Sequence, residues 1–229
     1  MKSKKKIISI ALILCMSAMM VLSGCDSKED SKVEDSQTVE STTEEAEAIS
    51  EDDFEKGTVT DTTFESSYLN LKFDLPEGFI MHTEEELLQL TNVSADNIGL
   101  DEDEYDYAMA NTVYEMMASD LTGTPNIIVM EAKVDIENIT DEEYLEQVKV
   151  GLESMGATAY EIEDDNETVS IAGQDYLSFT ATTEVSGISM TQEYYTRKIG
   201  NRMASIIVSY DDNTIDEKDA LMNSFTALE

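Results

Sequence analysis

Basic residues are scarce: lysine and arginine together number 14 against 50 aspartates and glutamates, a formal net charge of −36. A surface of that sign repels phosphates, so nucleic acid is excluded as a partner and acidic lipid headgroups are disfavoured. Cysteine occurs twice, as Cys15 and Cys25, and histidine once, as His82. With so little imidazole and thiol, serine–histidine–carboxylate, cysteine–histidine and multi-histidine zinc constellations are set aside. No glycine loop of the kind that cradles phosphate is present. Long apolar runs are missing too. The one from Ile7 to Leu22 is too short and too oddly flanked for a stable membrane-spanning helix.

What that run does match is an export signal. Four lysines (Lys2, Lys4, Lys5, Lys6) precede it, and small residues follow it at Leu22-Ser23-Gly24-Cys25. The tetrapeptide resembles the lipobox of bacterial lipoproteins. The resemblance implies that the thiol of Cys25 is alkylated with diacylglycerol, that the chain is cut just before it, and that the new amine is acylated. Residues 1–24 are then a lipoprotein signal peptide. Each buried methylene contributes about 0.8 kcal/mol, and two or three acyl chains hold firmly where one does not. The expected address is the outer, extracytoplasmic face of the cell membrane. The alternative is an ordinary secretory signal with a cysteine at the cut. Cys15 leaves with the leader, so the mature chain has no free thiol for a disulfide, a nucleophile or a metal cluster. Loss of the four lysines leaves ten basic residues against 50 acidic, a net charge of −40.

Residues 25–65 combine the lipidated cysteine with Ser, Thr, Asp and Glu and few large apolar side chains. From Asp26 to Glu65 there are 15 acidic and three basic residues. Such a segment cannot bury enough surface to offset its ordering entropy, and it is expected to be a disordered tether. Forty residues of flexible coil reach on the order of 35 Å, lengthened by self-repulsion. Binding of cations or of a partner by the acidic run is the other reading.

The body, residues 66–229, carries seven basic residues and a net charge of −28. Leu69, Leu71, Phe73 and Leu75 alternate with polar residues, which predicts a half-buried strand ended by Pro76-Glu77-Gly78. Thr83 with Glu86 predicts a capping box and a short helix through Leu87, Leu88 and Leu90. From Val93 to Asp106 the chain is acidic and weakly periodic, and a loop is expected. Asp101, Asp103 and Asp106 invite a calcium reading, but an EF-type loop needs an oxygen ligand at Tyr105, a glycine at Asp106 and a glutamate at Thr112. Val113–Ala118 and Ile127–Val134 read as paired strands. Thr140 to Met155 is an amphipathic helix with a capping box to Glu143 and a stop at Gly156. A β-meander follows, with turns at Ala172-Gly173, Ser186-Gly187 and Gly200-Asn201. A last helix opens at Thr214 with Glu217 and lines up Leu221, Phe225 and Leu228. These elements make an α+β layered domain, a mainly antiparallel sheet with helices against it.

The run Tyr68-Leu69-Asn70-Leu71-Lys72-Phe73-Asp74-Leu75-Pro76-Glu77-Gly78-Phe79 resembles the opening strand and turn of PsbP-like domains. Gly173-Gln174-Asp175-Tyr176 and the stretch from Tyr194 to Arg202 resemble their second half. Phe79 stands where many members have tryptophan, and the acidic insertion near Asp101 has no counterpart. The resemblance implies an α/β/α sandwich with a central, mainly antiparallel sheet, and no shared enzymatic activity. Members act as assembly or stabilising partners of other proteins.

Carboxylates are abundant, yet no spacing singles out a glycosidase-like pair. His82, between a turn and a helix cap, is expected to be a surface or staple residue. Arg197, Lys198 and Arg202 gather at the Gly200-Asn201 hairpin, where they either blunt a sheet edge or offer a contact to an anionic partner. The chain therefore reads as a non-catalytic, lipid-anchored envelope module without cofactor or metal. It would bind or stabilise another envelope component. A small-ligand or divalent-cation binder is the alternative, and a hydrolase comes third.

Overall fold

Alternating and doubly apolar strands dominate the body, and they assemble into two antiparallel sheets. The computed structural model describes residues 54–98, 102–134, 139–154, 160–163, 166–185 and 187–228. The leader, Cys25, Asp101, Gly156 and Ser186 lie outside the described residues. The chain runs β1 (Thr58–Val59), β2 (Thr63–Ser66), β3 (Leu71–Asp74), β4 (Phe79–Met81), α1 (Glu84–Ile98), α2 (Glu102–Asn111), β5 (Thr112–Asp120) and β6 (Asn126–Lys133). It continues with α3 (Asp141–Ser154), β7 (Tyr160–Ile162), β8 (Glu167–Ile171), β9 (Gln174–Val185), β10 (Ile188–Ile199), β11 (Arg202–Asp211), α4 (Ile215–Met222) and β12 (Phe225–Thr226).

The large sheet has the order β4-β5-β6-β11-β10-β9-β7, with β8 also pairing β9; the small sheet has the order β1-β2-β3-β12. The central strands of the large sheet are apolar on both faces because both faces are covered. Ile127 and Val129 pack to one side and Ile128 and Met130 to the other; Ile206 and Val208 oppose Met203 and Ile207 in the same way. On the face of Ile128 and Met130 sit Tyr144, Leu145, Val148 and Leu152 of α3 and Leu87 of α1, over Met117 and a Phe179–Tyr194 stack at 4.5 Å. Cutting a fully buried side chain such as Leu152 to alanine costs about 2–5 kcal/mol. On the opposite face lie Phe64, Leu71 and Phe73 of the small sheet with Leu221 of α4 and Phe225. The fold is thus an α+β sandwich with a central antiparallel sheet, whose second outer layer α4 shares with the small sheet.

Two capping boxes form as the sequence predicts. The Glu86 N–H donates to Thr83 Oγ1 at 3.3 Å and the Thr83 N–H to Glu86 Oε2 at 2.8 Å. The same exchange joins Thr140 and Glu143, at 3.2 Å in each direction. The hairpin at Ala172-Gly173 forms with both residues at positive φ, 52° and 76°, as a primed turn requires.

Elsewhere the structure corrects the reading. The N-terminal part of the small sheet comes from residues assigned to the tether: β1, most of β2 and the fully buried Phe64 precede residue 66. The expected strand from Tyr68 shortens to Leu71–Asp74, because Ser67–Asn70 is a turn with Asn70 at φ 53°. The acidic stretch expected as a loop is helical, through the end of α1 and all of α2, so Asp103 and Asp106 stand on a helix. Thr214 makes no side-chain cap; its Oγ1 instead accepts the N–H of Asp211 at 3.1 Å. The last helix ends at Met222, and Phe225 enters β12, where it pairs with Phe73 across the small sheet with ring centroids 5.0 Å apart.

Candidate functional site

Each sheet has an open edge strand, β1 in the small one and β4 in the large one. Both line one cleft. Val59, Thr60 and Asp61 form one wall, Met81, His82 and the start of α1 the other, and Tyr114 and Glu115 of β5 complete it, around a volume of about 350 Å³. A second hollow of about 220 Å³ runs on from it between Leu88, Met109, Thr112 and Val113, sharing Lys56, Glu84, Leu87 and Tyr114. Lys56 Nζ meets Glu84 Oε1 at 2.8 Å, an exposed pair that ties the N-terminal segment to α1. Exposed pairs of this kind contribute about 0–1 kcal/mol, so this one can open.

Glu115 fixes the N-terminal segment. Its Oε2 accepts the Gly57 N–H at 2.7 Å, while Oε1 is buried without a hydrogen-bond partner. Burial pushes its carboxyl above the ordinary range, opposed by the Gly57 N–H and by the charges of Lys56 and Arg202. Only glycine fits at 57, since a Cβ there would collide with the Phe64 ring and stand 2.9 Å from the Glu65 carbonyl oxygen.

His82, expected to be a surface or staple residue, is 8 % exposed, which rules out the first of these. The turn at Pro76–Gly78 sends β4 back along β5, and this register sets its Nε2 2.8 Å from Ser119 Oγ. Ser119 Oγ also lies 2.8 Å from the Asp120 carbonyl, and His82 Nδ1 stands 3.8 Å from Glu86 Oε2, so the tautomer of His82 sets the direction of the Ser119 bond. Burial lowers the imidazole pKa below 6.5, with Glu86 opposing.

The hairpin cations do not form one patch. Arg197 donates to Gln174 Oε1 at 2.6 Å and to the Leu69 carbonyl at 2.7 Å and lies over the Tyr176 ring. Arg202 stacks over Phe54 at 3.8 Å, and Phe54 meets Tyr68 edge-on at 5.2 Å. Strand alternation puts both on the small-sheet face, where they fasten the N-terminal segment and the Ser67–Asn70 turn. Lys198 falls on the other face, and its N–H donates to Asp141 Oδ1 at 2.9 Å.

A second polar cluster escaped the sequence reading. The Glu193 carboxylate accepts the Tyr195 hydroxyl, the Tyr210 hydroxyl at 2.7 Å and Lys218 Nζ at 3.4 Å. Burial and then that carboxylate raise both phenols well above their usual range. For Lys218 burial acts downward, and Asp219 and Glu193 outweigh it, so the ammonium titrates higher than usual. Every group is turned inward on another, which makes this a brace between β10, β11 and α4. Among the described residues no three His, Cys, Asp or Glu side chains gather as a metal-holding group, and no helix is long and apolar enough to cross a membrane.

No protein-family model matches the chain, and no curated protein matches it in sequence. Among solved structures it is similar to the cyanobacterial PsbP protein CyanoP of Synechocystis sp. PCC 6803, at 14% identity and a TM-score of 0.43, over 75% of this chain and 95% of that one. It is also similar to LpqN of Mycobacterium tuberculosis, a protein involved in cell envelope biogenesis, at 10% identity and a TM-score of 0.41, over 69% of this chain and 83% of that one.

Proposed function

We propose that the protein is a non-catalytic, lipid-anchored module of the extracytoplasmic membrane face that binds or stabilises another envelope component. The observation that carries this reading is the cleft itself, held between two open sheet edges and closed on one side by the segment that follows the tether. Anchoring rests on Leu22-Ser23-Gly24-Cys25, through which the body would be tethered at Cys25. At about 350 Å³ the cleft also falls in the range of small-molecule pockets, which keeps a small ligand as the second reading. Lys198 is the hairpin's contact in this proposal, and a Lys198→Glu variant that keeps every crosslinked neighbour would remove it. The anchor is tested by fractionating cells that carry wild-type chain or Cys25→Ser. Wild type is expected in the membrane pellet, released by detergent and not by salt, with the variant soluble or uncleaved. A Cys25→Ser chain that is cleaved and still membrane-bound would overturn it.

A further inference from the structure

We infer that the cleft between β1 and β4 takes an extended, lysine- or arginine-bearing segment of a partner protein. This rests on the reading of the protein as a binding module and names the chemistry of what it binds. Three observations carry it.

Main-chain geometry comes first. The His82 N–H donates across the ladder to the Met117 carbonyl at 2.9 Å, and β4 pairs with β5 only through Phe79–Met81. In an antiparallel pair successive residues alternate between facing the partner strand and facing away, so Met81 presents its N–H and C=O to the open side. Met81 lines the cleft, as does Val59 of the other edge strand. A strand laid between them meets an unpaired edge, the arrangement by which sheets recruit extended peptides.

The lining is the second. Val59, Met81, Leu87 and Tyr114 in one hollow and Leu88 and Met109 in the adjoining one give apolar seats, and Val59 and Leu88 are exposed. Alternate side chains of a strand reach such seats while the others point away.

Charge is the third. Among the described residues, Asp61, Glu84 and Glu115 line the cleft with Lys56 as its one lysine or arginine, and Lys56 is already paired with Glu84. A cationic side chain of a partner can replace Lys56 at Glu84, an exchange of one exposed pair for another. Complementarity of this kind selects the sign of the partner and speeds its arrival.

The test is fluorescence anisotropy on the mature full-length chain in detergent micelles. The probe is a ten-residue peptide alternating lysine and valine, and the control carries glutamate in place of lysine. The lysine peptide is expected to bind and the glutamate peptide not to. Asp61→Lys with Glu84→Lys, both on the exposed rim, should weaken binding about tenfold. Glu167→Lys with Glu184→Lys, the same charge change at the opposite side of the large sheet, should change it less than about twofold. Methylating alternate backbone nitrogens of the peptide should weaken binding without touching the protein. Equal binding of the glutamate peptide, equal loss from the remote pair, or displacement by spermidine at the peptide's own concentration would overturn the inference. Such a result with membrane anchoring through Cys25 intact would overturn it alone and leave the proposed function standing.

Discussion

The main-chain N–H of Gly57 and the carboxylate of Glu115, 58 residues apart, meet at 2.7 Å. This contact decides where the N-terminal segment lies and therefore whether the cleft has its second wall. Replacing Gly57 by alanine drives a methyl into Phe64 and the Glu65 carbonyl. Overpacking of that kind costs about 1–3 kcal/mol, and the melting temperature of Gly57→Ala is expected to fall accordingly. An unchanged melt would mean that the segment is not held as described.

Glu115 also gives the fold a pH dependence of definite sign. Its folded-state pKa lies above the ordinary 4.5, chiefly through burial, so protonation favours the folded state. The stability it contributes is full below that ordinary value and is lost as pH rises through the folded one. The melting temperature of Glu115→Gln minus that of wild type should therefore grow between pH 4.5 and neutrality. A difference independent of pH would contradict the burial of this charge.

His82 acts in the opposite sense. Burial, against the pull of Glu86, puts its folded pKa below 6.5, so its contribution is full above 6.5 and is lost as pH falls through the folded value. Because it is the only histidine, a proton NMR titration follows it without assignment. The expected midpoint lies below 6.5, and a midpoint at or above that value would place the ring in water.

Thr140 caps α3 through its Oγ1, which accepts the Glu143 N–H at 3.2 Å. Thr140→Ala should lower stability by about 1 kcal/mol in chemical denaturation, while Thr140→Ser, which keeps the hydroxyl, should stay close to wild type. Equal losses in the two variants would point to the methyl group and away from the cap.

These four cases also show which features a sequence discloses. The caps at Thr83 and Thr140 and the turn at Ala172-Gly173 depend on partners a few residues away, and their residue types state them directly. The apolar run from Ile127 to Met130 likewise announces a strand, and the structure shows it packed on both faces. β1 is two exposed residues, Thr58 and Val59, with no period of its own, and it exists because Glu65 and Phe64 pair with it and Glu115 holds the residue before it. α2 carries no strong apolar stripe that could have marked it, and α1 runs on past its leucines into the acidic stretch with no proline or glycine to stop it. Phe225 reads as helical by spacing, and pairing with Phe73 overrides that local preference. The cleft draws on residues 56–61, 81–88 and 109–115, three segments whose meeting no local pattern encodes.

Photo-crosslinking inside the native cell joins anchor and cleft in one measurement. A photoreactive amino acid placed at Leu88, exposed at the rim of the cleft, should give one discrete adduct in the membrane fraction that is absent when the same group replaces Glu167. The Asp61→Lys with Glu84→Lys change should abolish it. Adducts of equal yield from both positions, or none from Leu88 while the chain is membrane-bound, would contradict a binding module built around this cleft.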